Sequence, residues 1–309
     1  MEQDYLEKEP CFPELSDCVL CPRECHANRN ESETGICGMG AKVRVARAAL
    51  HMWEEPCISG ERGSGTIFFA GCSLRCCFCQ NRDIAIGNAG KDISLMRLVE
   101  IMLELQEKGA ANINLVTGEH YVLHIAEAIR RAKKRGLRIP VLYNSGGYEK
   151  TETVRLLEGL VDIWLPDYKY QDSSLAGEYS RAADYPEIAM NAIREMVRQS
   201  GPCVFDEEGY LVRGTVVRHL ILPGHTKNSK AAVKDLYETF GDQIYISLMN
   251  QYTPVYHQEK FVELNRKVTR REYEKVLDFA LSLGITRGFF QEGDTSRESF
   301  IPAFDYEGV

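Results

Sequence analysis

Three cysteines stand at a spacing that could hold a metal cluster. Cys72, Cys76 and Cys79 form the pattern Cys-x3-Cys-x2-Cys within residues 71–81, which read GCSLRCCFCQN. Three thiolates on so short a loop can bind three corners of a cube-shaped iron–sulfur cluster and leave one iron without a protein ligand. That iron is then open to bind a small molecule. The spacing therefore predicts a reactive cluster rather than a fully ligated structural one.

A zinc site is the alternative for the same three thiols. Structural zinc takes four ligands in tetrahedral geometry, usually as two separated pairs. Few histidines lie near the loop, and the spare thiol of Cys77 directly follows Cys76, which makes joint ligation awkward. The position of the loop at the start of an alternating α/β region also favours the cluster.

The loop must be positioned by the elements around it, and these are predicted to alternate between strand and helix. An apolar run at 66–70, just before the loop, has the profile of a buried strand. The first helix is predicted to begin after Ser94 as N-cap and to stop at Gly109. Further strands are predicted at 112–116, 139–143, 161–165, 214–222, 244–248 and 285–290, and further helices at 122–135, 153–157, 186–199, 230–240 and 270–283.

Repeated βα units imply right-handed crossovers and a parallel sheet. The fold class is therefore predicted as α/β, a partial or full (β/α) barrel over residues 61–290, with a doubly wound sheet as the alternative. No Gly-x-Gly-x-x-Gly opens the first helix, which argues against a dinucleotide-binding fold. In barrels the chemistry lies on the loops after the strands, which is where the three cysteines stand.

With these residues in place, the chain resembles the radical SAM superfamily, and within it the branch related to the pyruvate formate-lyase activating enzyme. The three cysteines with aromatic Phe78 before the last one match the superfamily signature, and the flanking residues 65–71 and 80–81 look like the activating enzymes. The resemblance implies a 4Fe-4S cluster whose open iron binds S-adenosylmethionine (SAM). One electron then cleaves SAM, and the resulting 5′-deoxyadenosyl radical abstracts hydrogen from an unreactive C–H group.

The resemblance also implies which residues bind SAM. Gly118 and Glu119 stand where the family has Gly-Gly-Glu, whose carboxylate contacts the SAM amino group, although Thr117 replaces the first glycine. Asn144 and Ser145 resemble the polar loop that lines the SAM pocket. For Glu119 the alternative is an ordinary exposed acidic residue of a loop. For Asn144 and Ser145 the alternative is ordinary turn chemistry.

Two later loops complete the implied SAM site. Asp167 and Lys169 resemble the family's Asp-x-Lys, which reaches the SAM ribose and carboxylate, and a surface ion pair is the alternative. Arg218 falls where related enzymes have an arginine close to SAM, and an ion pair with a neighbouring carboxylate is the equal alternative. Residues 250–252 are a weaker candidate for contact with adenine or substrate. His219, His225 and His257 are expected to be structural.

Ten of the 11 cysteines lie in the first 79 residues, and four of them form a second candidate site. Residues 1–60 are predicted to be a Cys-rich appendage with little strand or helix periodicity, and residues 291–309 a C-terminal tail. Four thiolates in the appendage can saturate a second iron–sulfur cluster or a zinc ion, with the cluster or a rubredoxin-like site slightly favoured: Cys18, Cys21, Cys25 and Cys37. His26 is a minor alternative ligand. For the bound metal, a structural role that holds this segment together is slightly favoured over electron transfer. No role is predicted for Cys11, Cys57, Cys77 and Cys203.

Composition limits the function classes. The formal charge of −8 argues against broad nucleic-acid binding. No apolar stretch approaches the roughly 20 residues that span a membrane, and the acidic N-terminus lacks signal-peptide features, so a cytoplasmic location is expected. The family resemblance implies a one-electron donor such as flavodoxin or ferredoxin.

The sequence thus predicts a radical SAM enzyme that acts on a protein or peptide, in the manner of an activase that installs a glycyl radical. Radical modification of a small molecule is the alternative within the class. A zinc- or cluster-bearing scaffold without catalysis is the alternative from a different class. The substrate, the fate of SAM, the auxiliary metal and the oligomeric state are not predicted.

Overall fold

The computed structural model describes residues 9–31, 33–290 and 302–309. Its strands, numbered along the chain, are β1 Val43–His51, β2 Ser64–Phe69, β3 Lys91–Ile93, β4 Ile113–Val116, β5 Val141–Ser145, β6 Ile163–Pro166, β7 Val204–Phe205, β8 Leu211–Leu220, β9 Tyr245–Met249 and β10 Gly288–Phe290. Its α-helices are α1 Pro56–Ser59, α2 Arg82–Ala85, α3 Leu95–Glu107, α4 Val122–Lys134, α5 Thr151–Arg155, α6 Ser173–Ser180, α7 Tyr185–Ser200, α8 Thr226–Phe240 and α9 Arg270–Ser282.

The strands form one mixed sheet in the order β10-β9-β8-β6-β5-β4-β2-β1-β3, with the short β7 paired to β8. Strands β2, β4, β5, β6, β8, β9 and β10 are parallel, whereas β1 pairs antiparallel with β2 and β3. In the described residues the two end strands do not pair with each other, so the sheet stays open. Of the two predicted forms, a partial and a full barrel, the fold is therefore the partial barrel. All of its parallel strands end on the same edge of the sheet.

The helix predicted after Ser94 is confirmed. Helix α3 begins at Leu95, and the Ser94 hydroxyl accepts the Arg97 amide N–H at 3.0 Å, which satisfies one otherwise unpaired donor. Gly109 follows its end with φ +85°, a conformation that favours glycine. Leu98 and Met102 are fully buried against the sheet because they share one helical face.

The prediction that residues 1–60 lack strand periodicity is wrong for β1. This strand contains nine residues and pairs with β2 along most of its length. A bulge between Val45 and Arg47 shifts the register, so the buried positions do not alternate regularly along the sequence. That irregularity hid the strand, and the predicted boundary at residue 60 cuts across a continuous pair of strands.

Strand β5 lies two residues later than predicted. Pro140 has no N–H for the ladder, so pairing with β4 begins at Val141. The polar Asn144 and Ser145, which were predicted as a loop, are therefore the last residues of the strand. Helix α6 was not predicted; the Asp172 carboxylate caps it by accepting the Ser174 amide N–H at 2.8 Å. The other predicted elements differ from the structure only at their ends.

The two ends of the described chain pack on this sheet. In the C-terminal segment, the Glu307 carbonyl accepts the Ala48 amide N–H at 2.8 Å, and Arg47 pairs with Asp305 and Glu307. In the N-terminal segment, Arg23 donates to the Ser73 carbonyl at 3.0 Å. No helix among the described residues is long and apolar enough to cross a membrane.

Candidate functional site

The cysteine loop leaves the carboxyl end of β2 and runs into α2. Gly71, with φ +91°, turns the chain out of the strand; a Cβ there would lie 2.3 Å from Met39 Cγ, so only glycine fits. The Cys79 amide N–H donates to the Cys76 carbonyl at 3.2 Å, which tightens the loop. Cys72, Cys76 and Cys79 all line one cavity of about 250 Å³ at the strand ends.

Burial sets the chemistry of these thiols. It raises the pKa of Cys79 to about 12 and that of Cys72 further, and the charge of Cys76 acts in the same direction on both. Such thiols are neutral unless a positive centre draws off their protons, which metal coordination does. Three soft sulfur donors at the wall of one cavity fit an iron–sulfur cluster.

In the described part of the chain, no three His, Cys, Asp or Glu side chains are arranged so that they could hold a metal ion.

Glu119 reaches the same cavity from the turn after β4. Its Oε1 accepts the Gly146 amide N–H at 3.0 Å, and its buried Oε2 has no hydrogen-bond partner in the described residues. Burial raises the pKa of this carboxyl group. A buried carboxylate oxygen without a donor is costly, and an ammonium group in the cavity would satisfy it.

The turn before Glu119 keeps a conformation that favours glycine although it contains a threonine. Thr117 has φ +59°, which is unusual for a β-branched residue. Gly118 does not line the cavity; a Cβ there would lie 2.3 Å from Ile125 Cδ1. Gly118 therefore permits close packing of α4, which is a positioning role rather than a contact.

Four predicted residues line the cavity from β5 and the loop after β6: Asn144, Ser145, Asp167 and Lys169. Burial by itself lowers the pKa of Lys169, but the paired Asp167 carboxylate outweighs it and raises the pKa above its ordinary value. The Tyr185 hydroxyl fixes the loop: it accepts the Lys169 amide N–H at 2.9 Å and donates toward the Asp167 carbonyl at 2.8 Å. A charged ammonium thus stands at the cavity.

Phe78 holds the cysteine loop against the far side of the barrel. Its ring packs edge-on against Tyr170, Tyr179 and Tyr252, with centroids 6.1–6.4 Å apart. These tyrosines come from the loop after β6, from α6 and from the loop after β9, so Phe78 ties the position of Cys79 to the rest of the site.

Arg218 lines the cavity but is already paired. Its Nε donates to Glu55 Oε1 at 2.8 Å, and its Nη2 contacts both Glu54 and Glu55. Burial raises and the guanidinium lowers the pKa of Glu55, and the lowering prevails. Sequence reasoning missed this acidic pair, because it follows the strand β1 that was not predicted. An ion pair was the alternative predicted for Arg218, and in the structure Glu54 and Glu55 both contact its guanidinium.

Of the weaker candidates, Gln251 lines the cavity, and its carbonyl accepts a Gln80 amide N–H at 3.1 Å. His219 is buried and bonded through Nδ1 to the Tyr168 carbonyl at 2.7 Å. His225 contacts the Tyr179 hydroxyl at 2.8 Å outside the cavity. Cys57 and Cys203 belong to an apolar cluster away from the cysteine loop.

The four N-terminal cysteines lie next to this site rather than in it. A Cβ on Gly35 would lie 3.0 Å from the Cys25 sulfur and 3.4 Å from the Cys37 sulfur, so these two thiols flank the same glycine. Burial raises the pKa of Cys21 to about 11, and the charges of the other three thiols add to this. The Cys37 carbonyl accepts the Cys72 amide N–H at 3.3 Å, which joins the two cysteine segments.

Parts of the chain are similar in sequence to known proteins. Residues 66–170 match the family model of the Radical SAM superfamily. An uncharacterised protein of Methanocaldococcus jannaschii is 28% identical over 273 residues, covering 86% of this chain and 75% of that protein.

Similar solved structures include a domain of a pyruvate-formate lyase-activating enzyme from Bacteroides vulgatus, with 16% identity, a TM-score of 0.39, and coverage of 55% of this chain and 93% of that one. Streptococcus suis SuiB bound to its precursor peptide has 14% identity, a TM-score of 0.48, and coverage of 72% and 46%. The FeFe-hydrogenase maturase HydG from Carboxydothermus hydrogenoformans has 14% identity, a TM-score of 0.48, and coverage of 68% and 49%. This chain spans about half the length of the last two.

Proposed function

We propose that this chain, which carries a radical SAM domain at residues 66–170, holds a 4Fe-4S cluster on Cys72, Cys76 and Cys79 and cleaves SAM reductively. The observation that carries the proposal is the convergence of chemically matched groups on one cavity. Three thiols, the half-satisfied carboxylate of Glu119 and the ammonium of Lys169 line it together, although they come from three different loops.

When bound and reduced, the cluster would supply the electron that cleaves the SAM sulfonium bond, giving methionine and a 5′-deoxyadenosyl radical that takes hydrogen from a C–H group. The chain's own residues bind and orient SAM for that step. Glu119 Oε2 accepts from the amino group, and Lys169 pairs with the carboxylate. Asp167 is placed to accept from ribose hydroxyls while it holds Lys169 in position.

The proposed substrate is a protein or peptide. Two large apolar side chains near the site are exposed, Trp53 at 61% and Met52 at 43%, and Trp53 also lines the cavity. Exposed aromatic and thioether groups at a cavity are typical of surfaces that bind polypeptides. A glycyl-radical partner is the form of this proposal that the family resemblance suggests.

Replacing cluster ligands tests the proposal. In anaerobically reconstituted protein, Cys72→Ala, Cys76→Ala and Cys79→Ala should each reduce dithionite-driven formation of 5′-deoxyadenosine to background, because each removes one of three anchors. Cys77→Ala is the matched control, since Cys77 neighbours the ligands but does not line the SAM cavity. It should retain both iron content and activity.

Two results would contradict the proposal. One is wild-type rates of 5′-deoxyadenosine formation in a ligand variant. The other is zinc as the sole metal of the protein after purification without oxygen, which would support the scaffold instead. Adding cell extract, separated into protein and small-molecule fractions, distinguishes a polypeptide substrate from a small one by which fraction stimulates turnover.

A further inference from the structure

A hydroxyl group from outside the cysteine loop contacts one of the loop's sulfurs. The Ser180 hydroxyl donates to the Cys76 Sγ at 2.9 Å, although the two residues are 104 positions apart in the chain. Ser180 is the last residue of α6, the helix that was not predicted from the sequence, and it is fully buried. It does not line the SAM cavity, so the proposed SAM site makes no use of it.

A second buried hydroxyl fixes the direction of this hydrogen bond. The Tyr170 hydroxyl lies 2.7 Å from the Ser180 hydroxyl oxygen, and Tyr170 is also fully buried. The sulfur of a metal-bound thiolate can only accept, so Ser180 directs its proton to Cys76 and accepts the proton of Tyr170. Consecutive hydrogen bonds polarise one another, which strengthens the last bond of the chain. The cysteine loop therefore receives a polarised donor at a sulfur that is proposed to bind the cluster.

Hydrogen bonds to the backbone hold the end of α6 against the cysteine loop. The Cys77 amide N–H donates to the Tyr179 carbonyl at 2.8 Å. The Arg23 guanidinium donates to the Ser180 carbonyl through Nη2 at 2.8 Å and to the Ser73 carbonyl through Nε at 3.0 Å. These bonds join the helix end to the loop on both sides of the sulfur, so the serine hydroxyl is held within reach of it.

We propose that Ser180 raises the reduction potential of the cluster that Cys76 helps to bind. The inference rests on the proposed function, because it requires a cluster on this loop. Reduction adds one electron from an external reductant such as dithionite; no bond forms or breaks, no proton moves, and the cluster with its thiolates becomes more negative by one charge. A hydrogen bond to a thiolate stabilises the more negative state more strongly. Ser180 acts through Cys76, so it is a positioning residue and not a catalytic one.

The bond affects the two electron-transfer steps in opposite directions. A higher potential makes the cluster easier to reduce, and it lowers by the same amount the driving force with which the reduced cluster cleaves SAM. The hydroxyl of Ser180 therefore sets the balance between the uptake of the electron and its use.

Ser180→Ala tests the proposal in anaerobically reconstituted protein, because it removes the donor and leaves the backbone contacts of α6. Electron paramagnetic resonance measures the reduced cluster during a redox titration. At a fixed potential near the wild-type midpoint, the ratio of reduced to oxidised cluster should fall about three- to tenfold, which is a midpoint lowered by about 30–60 mV for a one-electron couple. Tyr170→Phe should lower the midpoint by less, because the serine still donates.

Ser200→Ala is the matched control. It removes the hydroxyl of another buried serine, which lies 3.0 Å from the Thr215 hydroxyl and outside the SAM cavity. Its midpoint should equal that of the wild type. Iron content and the dissociation constant of SAM should be unchanged in Ser180→Ala, since the residue contacts neither the ligand set's other sulfurs nor the SAM cavity.

An unchanged or raised midpoint in Ser180→Ala would overturn the proposal, as would an equal decrease in Ser200→Ala. If Ser180→Ala loses iron, Tyr170→Phe decides: a lowered midpoint supports the proposal, and an unchanged one overturns it. Wild-type protein that binds no iron–sulfur cluster would refute the proposed function and this inference together. An unchanged midpoint in a protein that still cleaves SAM would refute this inference alone.

Discussion

Single atoms in the cavity already limit what it can bind. The unpaired Glu119 oxygen, the paired Lys169 ammonium and the buried thiols each require a partner of defined charge. An amino acid group bears an ammonium and a carboxylate side by side, which matches the first two. The match is one of chemical type and position, and it leads to predictions that single substitutions can check.

Glu119→Gln should weaken SAM binding about 10- to 100-fold. The substitution keeps the size of the side chain but removes the charge, and a hydrogen bond to a charged group contributes about 1.5–3 kcal/mol. Calorimetric titration of cluster-loaded protein with SAM measures the effect. Glu127→Gln, on a carboxylate bonded to Arg131 at 2.8 Å in α4, is the control and should bind SAM normally. An unchanged dissociation constant in Glu119→Gln would argue against its assigned role.

Glu149 should make stability depend on pH. It is buried, accepts the Tyr143 hydroxyl at 3.0 Å, and burial raises its pKa from 4.5 to about 8. The folded chain then keeps a proton that the unfolded chain releases above pH 4.5, so this residue's contribution to the free energy of unfolding falls as the pH rises toward 8.

Glu149→Gln removes that dependence. Relative to the wild type, the variant should gain up to about 1.4 kcal/mol per pH unit between pH 5 and 8. Urea unfolding of the metal-free chains under reducing conditions at several pH values measures the difference. A difference that stays constant over this range would show that Glu149 does not carry the raised pKa.

At the scale of elements, the site depends on how closely the loop after β5 approaches the loop after β6. Gly147 has φ +77°, and a Cβ there would lie 2.3 Å from the Asp167 carbonyl oxygen. The same contact region holds the Tyr185 hydroxyl bonds that orient Lys169. A side chain at position 147 would therefore push apart the two loops, both of which are proposed to bind SAM.

Gly147→Ala should lower both SAM affinity and the free energy of unfolding, the latter by about 1–3 kcal/mol beyond the cost of a positive φ. Gly159→Ala is the matched control, because Gly159 has φ +73° but no atom within 4 Å of the added Cβ. Chemical unfolding and SAM titration of both variants measure the difference. Similar losses in the two variants would mean that the close approach has no special role.

At the scale of the whole molecule, the N-terminal segment and the sheet form one structure around the cysteine loop. The Lys150 ammonium lies 2.6 Å from Glu24, and the Thr153 hydroxyl donates to the Leu20 carbonyl at 2.6 Å. Together with the Cys37–Cys72 backbone bond, these contacts place the second set of thiols directly beside the first. A metal bound by the N-terminal cysteines would stabilise the cysteine loop that lines the SAM cavity.

A double substitution Cys21→Ser, Cys25→Ser should therefore remove one metal site and loosen the segment. Elemental analysis should show loss of the auxiliary metal, zinc or iron, while the iron bound by Cys72, Cys76 and Cys79 remains. Trypsin should cleave the N-terminal segment faster. Cys11→Ser, on an exposed cysteine outside the set, is the control. Unchanged metal content and unchanged protease resistance in the double variant would exclude the auxiliary site.

Local sequence was sufficient for part of this description. The spacing of the three cysteines, the caps of α3 and the alternation of strand and helix depend on residues near one another in the chain, so pattern alone predicted them. Asp167 and Lys169 were predicted from the family resemblance, and in the structure both line the cavity.

The remaining features depend on residues far apart in the chain, and only tertiary structure decided them. The bulged strand β1 joins the Cys-rich segment to the sheet, and it brings Glu54 and Glu55 to Arg218 across more than 160 residues. Folding sets such distances through the packing of the whole sheet, so no local pattern records them. The sequence by itself determined the chemistry of the cysteine loop, and the tertiary structure decided what faces each side of it.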